Sequence, residues 1–379
     1  MDRFRVAHAA GADGLSLADA CVAMLGGTEA QPGLGFVYAT DYLSDELPQI
    51  IGRLRQGTGI RDWVGTVGIG VSANPGDSAG GRPAEHYDTP AVAVMTAPLP
   101  PDSYRLFEPL RDSRQGLGGR HAEWLDRRQP AFGVVHADPR NPLTPGLVAA
   151  LAEETGAHLV GGLTCSRAGF RQVAGTVVEG GVSGVLFSDA VAVLTGLSQG
   201  CRPIGPPHTA TAVEGHVVRR LDGRPALEVF CAEIGPQLAR DLRRVAGTIF
   251  VALPVHGADA GDYLVRNLVS IDMAEGSLGI AADIAPGDRL MFARRDRPAA
   301  ESDLRRMLAC LAARTDRPVK GALYHCCVAR GPNLFGAAAE ETRLITAVLG
   351  DIPLVGFLAN GEICNNRLYG YTGVLTLFL

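Results

Sequence analysis

Short apolar runs alternate along this chain with stripes of apolar residues at helical spacing. Residues 35–39 (GFVYA) read as a buried strand, and Leu47, Ile50, Ile51 and Leu54 then recur as one face of a helix that Gly57 and Gly59 stop. A second strand at 63–67 runs into a Gly/Ser/Asn loop, and a further strand follows at 91–96. The same order returns twice. Residues 131–136, a helix over 145–155 and a strand at 158–163 form the second copy, closed by a hairpin of 184–187 and 190–197 turning at Ser188 and Asp189. The third runs from 321–327 through a helix at 340–349 to 353–357, and ends in 371–378.

In each copy a Val-Gly pair sits in the strand after the helix, as Val64-Gly65, Val160-Gly161 and Val355-Gly356. Glycine inside a strand marks the close approach of another backbone or of a ligand. Strand-helix-strand units imply parallel pairing with right-handed crossovers. The expected fold class is α/β, with mixed sheets built from repeated β-α-β-β modules covered by helices. At 379 residues the chain exceeds the size of one ordinary core. Two domains are therefore expected, 1–208 with two copies of the module and 209–379 with a strand-rich insert followed by the third. In the insert, 214–219 alternates, 235–244 reads as a helix, 268–272, 277–280 and 289–293 as strands, and 299–313 as an amphipathic helix.

Composition narrows the function. A net charge of -5 leaves no basic face for phosphates, which argues against nucleic acid and membrane surfaces as partners. The N-terminal residues lack the apolar stretch of a secretory signal and no run is long enough to span a bilayer, so a cytoplasmic location is expected. Lys320 is the only lysine among 35 basic residues, and neither a P-loop nor a Schiff-base lysine is present. The eight cysteines include no C-x-x-C pair. G-x-G-x-x-G is missing as well, and the chain reads as a binding protein rather than an enzyme, with a cysteine-dependent enzyme using Cys326 or Cys327 beside His325 as an alternative.

In the third copy the residues become specific. Cys327-Val-Ala-Arg330-Gly331, Leu334-Phe335-Gly336, Glu340-Glu341, Pro353-Leu-Val-Gly-Phe357 and Asn360-Gly361-Glu362-Ile363 resemble, in order and spacing, the C-terminal half of FIST proteins. Val64-Gly65, the loop after it and the strand ending at Leu99-Pro100 are similar to the N-terminal half, although 68–72 departs from the family pattern. The resemblance implies a sensory module for small ligands, with amino acids proposed, and a haem-binding nitric-oxide sensor as the alternative. Family members are often fused to signalling outputs; here the expectation is a separate partner such as a histidine kinase.

Ligands of open α/β sheets collect beyond the carboxyl ends of parallel strands. That rule selects Arg330, Glu362, Asn360, Cys326, Asn333, Thr164 and Ser166 as candidate ligand-binding residues. Arg330 would grip a carboxylate through two hydrogen bonds and Glu362 would take an ammonium group, a pair suited to an amino acid; the two could equally pair with each other. No cofactor is expected, and under the haem alternative His325 is the candidate axial ligand. Strand alternation places His325 and Cys327 on one sheet face and Cys326 on the other. The histidines show no metal-site spacing.

Overall fold

The computed structural model describes residues 4–26, 33–76, 82–112, 116–255 and 262–379. The chain forms two compact units. One holds the described residues up to Ser198 together with Leu304–Leu368 and Thr372–Leu379, and the other holds Gln199–Asp303 and Tyr369–Tyr371.

The first unit contains three six-stranded sheets of the same order. Each sheet begins with an edge strand (Arg5–Ala10, Tyr104–Leu110 or Val193–Gln199) and continues with a closing strand (Ala91–Ala97, Val182–Phe187 or Thr372–Phe378). Next comes an inner strand (Leu34–Thr40, Phe132–Ala137 or Gly321–Cys327), parallel to a second strand (Asp62–Gly68, His158–Leu163 or Leu354–Ala359). The last two places in each sheet belong to a hairpin from a different module. Gln172–Ala174 of the second module pairs with Asp62–Gly68 of the first, Glu362–Cys364 of the third with His158–Leu163 of the second, and Gly70–Asn74 of the first with Leu354–Ala359 of the third. The three modules are thus laced in a closed cycle.

Helices cover the outer face of every sheet, Gly14–Met24 with Leu47–Thr58, Gly118–Arg128 with Thr144–Thr155, and Arg297–Arg314 with Glu340–Leu349. Leu47, Ile50, Ile51 and Leu54 are all buried, so the helical stripe in the sequence is the core face. The inner faces of the three sheets share one core, in which Phe36, Phe132, Phe187, Phe357 and Phe378 meet. Because each inner and second strand is covered on both faces, these segments are continuous apolar runs rather than alternating ones.

The repeated glycines have a backbone explanation. Gly65, Gly161 and Gly356 face Val37, Val135 and Tyr324 across the parallel ladder, and a β-carbon at any of them would overlap the carbonyl oxygen of that residue. The three glycines also fix the alignment of the modules. One residue further along each inner strand stand Tyr38, His136 and His325.

The repeat is larger than the β-α-β-β unit read from sequence, because an edge strand and a helix precede it. Residues 190–197 do not return on 184–187. The strand Val193–Gln199 is the edge strand of the third module and pairs with Thr372–Phe378. The segment read as a loop after Val67 contains the strand Gly70–Asn74, whose partner lies in the third module.

The second unit is built on a nine-stranded sheet that includes Ile249–Pro254, Leu268–Asp272, Ser277–Ile280 and Arg289–Arg295, with the helix Ala226–Ile234 packed on it through Phe230 and Phe292. The helix expected at 235–244 is cut short. Gly235 adopts a positive φ of 80° before Pro236, and only the single turn Pro236–Ala239 and the 3-10 turn Leu242–Val245 follow.

Candidate functional site

All the buried ionisable groups described next lie in the first unit, where the inner faces of the sheets carry a polar layer inside an apolar core. The Tyr38 hydroxyl is 3.0 Å from His325 Nε2 and 3.3 Å from His136 Nε2. All three side chains are buried, and Phe357 stacks on Tyr38 with ring centroids 5.1 Å apart. One hydroxyl proton cannot serve both imidazoles, so at least one histidine donates from Nε2 to the hydroxyl oxygen. Burial holds both histidines neutral, His325 pushed down to about 3 and His136, with His325 as a further cause, well below its usual range.

Glu362 lies in the same layer, in register with Gly162, which itself pairs with His136. Its Oε2 accepts from the Thr372 hydroxyl at 2.7 Å and the Thr372 amide at 3.1 Å. Oε1 is buried and accepts from no N–H or O–H group, and the Cys327 thiol is the further hydrogen-bond donor to the carboxyl. Burial pushes the carboxyl up to about 8 against the opposing pull of Thr372, Arg330 and Cys327, so it is neutral at pH 7. The same place in the second module is taken by Gln172. There Nε2 donates to the Gly181 carbonyl at 3.0 Å and Oε1 accepts from Ser183, which leaves nothing unsatisfied. An amide is therefore enough to satisfy this position within its own module, and the carboxyl at 362 exceeds what that needs.

On the outer face of the third sheet lies a second buried cluster. Arg330 Nε and Nη2 donate to Glu341 Oε1 at 2.9 and 2.7 Å, Tyr324 donates to the same oxygen at 2.7 Å, and the Cys326 thiol and the Gly331 amide donate to Oε2 at 3.1 Å each. Arg330 also reaches Ser198. Burial works against the Glu341 anion, but Arg330 and these donors outweigh it and hold the carboxyl below its usual value. The Cys326 thiol is driven well above its usual value by burial and by the Glu341 charge.

The structure thus divides the residues expected to form one site. Arg330 and Cys326 belong to the Glu341 cluster. Glu362 lies close enough for Arg330 to act on it electrostatically, yet the two are not paired with each other. Thr164 is buried near the strand ends, its hydroxyl 2.8 Å from that of Thr66. Ser166 caps its own loop by accepting from the Ala168 amide, Asn333 is exposed and donates to the Val328 carbonyl and the Tyr87 hydroxyl, and Asn360 is exposed beside its backbone bond to Leu163. Alternation holds as expected, with His325 facing Tyr38 and Cys326 facing Glu341 on opposite sides of the strand.

His325, the candidate axial ligand of the haem alternative, is engaged by its neighbours in the shared core. Its Nε2 faces the Tyr38 hydroxyl, and its ring packs against Tyr38, His136 and Phe357 at centroid distances of 6.0, 6.1 and 5.6 Å. It does not activate Cys326, which lies across the sheet. Among the described residues, no group of three or more His, Cys, Asp or Glu side chains is placed to hold a metal ion, and no helix is long and apolar enough to cross a membrane.

Sequence reading missed Tyr38, Gln172, Thr372 and the role of Glu341. Only the sheet register reveals the first two: Tyr38 and the two histidines each stand one residue beyond the residue that faces a module's glycine, and Gln172 and Glu362 each pair with the residue after such a glycine, Thr66 and Gly162.

Comparison with known proteins agrees over nearly the whole chain. A family model described as the FIST N domain matches residues 33–224, and one described as the FIST C domain matches 226–365. Uncharacterized proteins of two Mycobacterium tuberculosis strains, CDC 1551 and H37Rv, are each 30% identical over 373 residues, covering 94% of this chain and 93% of theirs. An uncharacterized protein of Mycobacterium bovis is 36% identical over 212 residues, 54% of each chain.

Proposed function

This chain belongs to the FIST family, whose domains are small-ligand sensory modules of signalling proteins, and from that premise we propose that it senses a small polar metabolite through Glu362. It acts by binding rather than by turnover, and passes its state to a separate signalling protein such as a histidine kinase. The observation that carries this reading is the buried Oε1 of Glu362, an uncompensated polar atom at a position where Gln172 shows that full compensation is attainable. A buried polar atom left without a partner costs about 1–3 kcal/mol. That cost is recovered when a ligand supplies the missing bond. The site lies where ligands of α/β sheets collect, beside Cys327 at the carboxyl end of an inner strand.

Arg330 enters this reading differently from the sequence expectation. Its guanidinium is committed to Glu341, so it shapes the wall of the site and its field, and the ligand is gripped by Glu362. A thermal-shift screen of polar metabolites against the full chain and Glu362→Gln tests the proposal. A ligand present at 100 times its dissociation constant adds about 2.7 kcal/mol of stability. The expected result is a metabolite that raises the melting point of the wild type and leaves the variant unmoved; a screen in which every hit shifts both proteins equally removes Glu362 from the site.

A further inference from the structure

The group that Glu362 takes can be narrowed by asking which charges around it are already spent. We infer that the ligand is an amine, held by its ammonium group alone, with no carboxylate or phosphate gripped in the same site. The inference rests on the sensory reading above and names the ligand class within it.

The nearest buried cation, Arg330, has Nε and Nη2 on Glu341 and its remaining contacts on Ser198. Beyond Cys165, whose thiol feels both Glu362 and Asp41, the Asp41 carboxylate is met by Arg167 through Nε, Nη2 and the backbone amide. These charges cancel in pairs. An anionic ligand group would have to break one of those pairs, at the cost of leaving a buried charge uncompensated. Glu362 has no such counter-ion. Its Oε2 is fixed by Thr372, which orients the carboxyl, places the acid proton on Oε1 and leaves Oε1 an open acceptor once that proton departs, and the Thr164 hydroxyl is tied to Thr66. An ammonium group brings three donors together with the positive charge that balances the carboxylate formed when the proton leaves.

The proton balance is explicit. In the empty protein Glu362 is a neutral acid. When an alkylammonium ion binds, the carboxyl O–H bond is broken, the proton leaves to solvent, and a carboxylate-ammonium pair remains. One proton is released per ligand bound. The titratable groups around Glu362 are Cys165, Cys326, Cys327 and Arg330. The raised Cys165 and Cys326 thiols and the Glu341-paired Arg330 do not change charge near pH 7.

Calorimetric titration of the full chain with n-butylamine, 1,4-diaminobutane, 4-aminobutanoate, glutamate and n-butanol, in phosphate and in Tris at pH 7, tests this directly. Simple amines are expected to bind, with heats that differ between the buffers by close to one proton's ionisation. Their apparent affinity should tighten about tenfold per pH unit between pH 6 and 7.5, because only the ionised carboxyl pairs with the ammonium. Glu362→Gln, which is expected to fold at least as well as wild type, should abolish both effects. If glutamate or n-butanol binds the wild type and not the variant while the amines do not, the amine inference falls and the sensory site stands. If amines bind with equal heats in both buffers and a flat pH profile, the inference also falls. If neither protein binds any probe and the metabolite screen above also finds none, both readings fall together.

Discussion

Arg330 and Glu341 form a buried ion pair in which two guanidinium nitrogens converge on one carboxylate oxygen, while Tyr324, Cys326 and the Gly331 amide supply the remaining bonds of the carboxylate. Neither side chain has meaningful solvent exposure. Removing one partner leaves the other charge buried, so Arg330→Met or Glu341→Gln is expected to destabilise the protein by about 3–5 kcal/mol. The double substitution Arg330→Met, Glu341→Leu removes both charges, and chemical denaturation should show it losing less than the sum of the single changes.

The pH dependence of stability has a definite sign at Glu362. Its carboxyl titrates at about 8 in the folded chain and near 4.5 when exposed, so between these values the folded state holds a proton that the unfolded state has lost. Stability therefore falls as pH rises from about 4.5 to about 8 and levels off above. Glu85, also raised to about 8, first by burial and then by the Glu341 charge, contributes a slope of the same sign. Urea midpoints across this range should flatten in part for Glu362→Gln and further for the double variant with Glu85→Gln.

Tyr38→Phe keeps the ring against Phe357 but removes the hydroxyl shared by His136 and His325. Two buried ring nitrogens lose their partner. A loss of roughly 1–3 kcal/mol is expected, and nitrogen NMR of the imidazoles should show the two histidines changing their proton distribution.

At Gly161 even a methyl group is too much, since it would overlap the Val135 carbonyl oxygen, and the residue's φ of +147° disfavours any L side chain. Gly161→Ala should lower the thermal midpoint more than alanine at Gly146, where a β-carbon meets nothing within 4 Å. The equivalent change at Gly65 or Gly356 should behave like Gly161→Ala, because all three sites oppose a carbonyl across the same parallel ladder.

Much of the module was legible because its signals are local. The apolar runs of the inner strands and the helical stripe of Leu47, Ile50, Ile51 and Leu54 each follow from spacing within about a dozen residues, and the parallel pairing followed from strand-helix-strand order. The family resemblance was equally local, carried by Arg330-Gly331, Glu340-Glu341 and Asn360-Gly361-Glu362. Partner choice was not legible. Gly70–Asn74 pairs with a strand some 280 residues later, and Val193–Gln199 closes on Thr372–Phe378, because sheet edges are completed by whichever module comes round the cycle and no short-range pattern encodes that. The same limit governed the site. Sequence placed Arg330 and Glu362 just beyond the strands Gly321–Cys327 and Leu354–Ala359, but only tertiary packing decided that Arg330 would spend its charge on Glu341, that His325 would meet Tyr38 and His136 in the shared core, and that Glu362 would be left with one oxygen unanswered. Local periodicity determines which face a side chain takes; the charge it finds there depends on what the opposing sheet or helix brings.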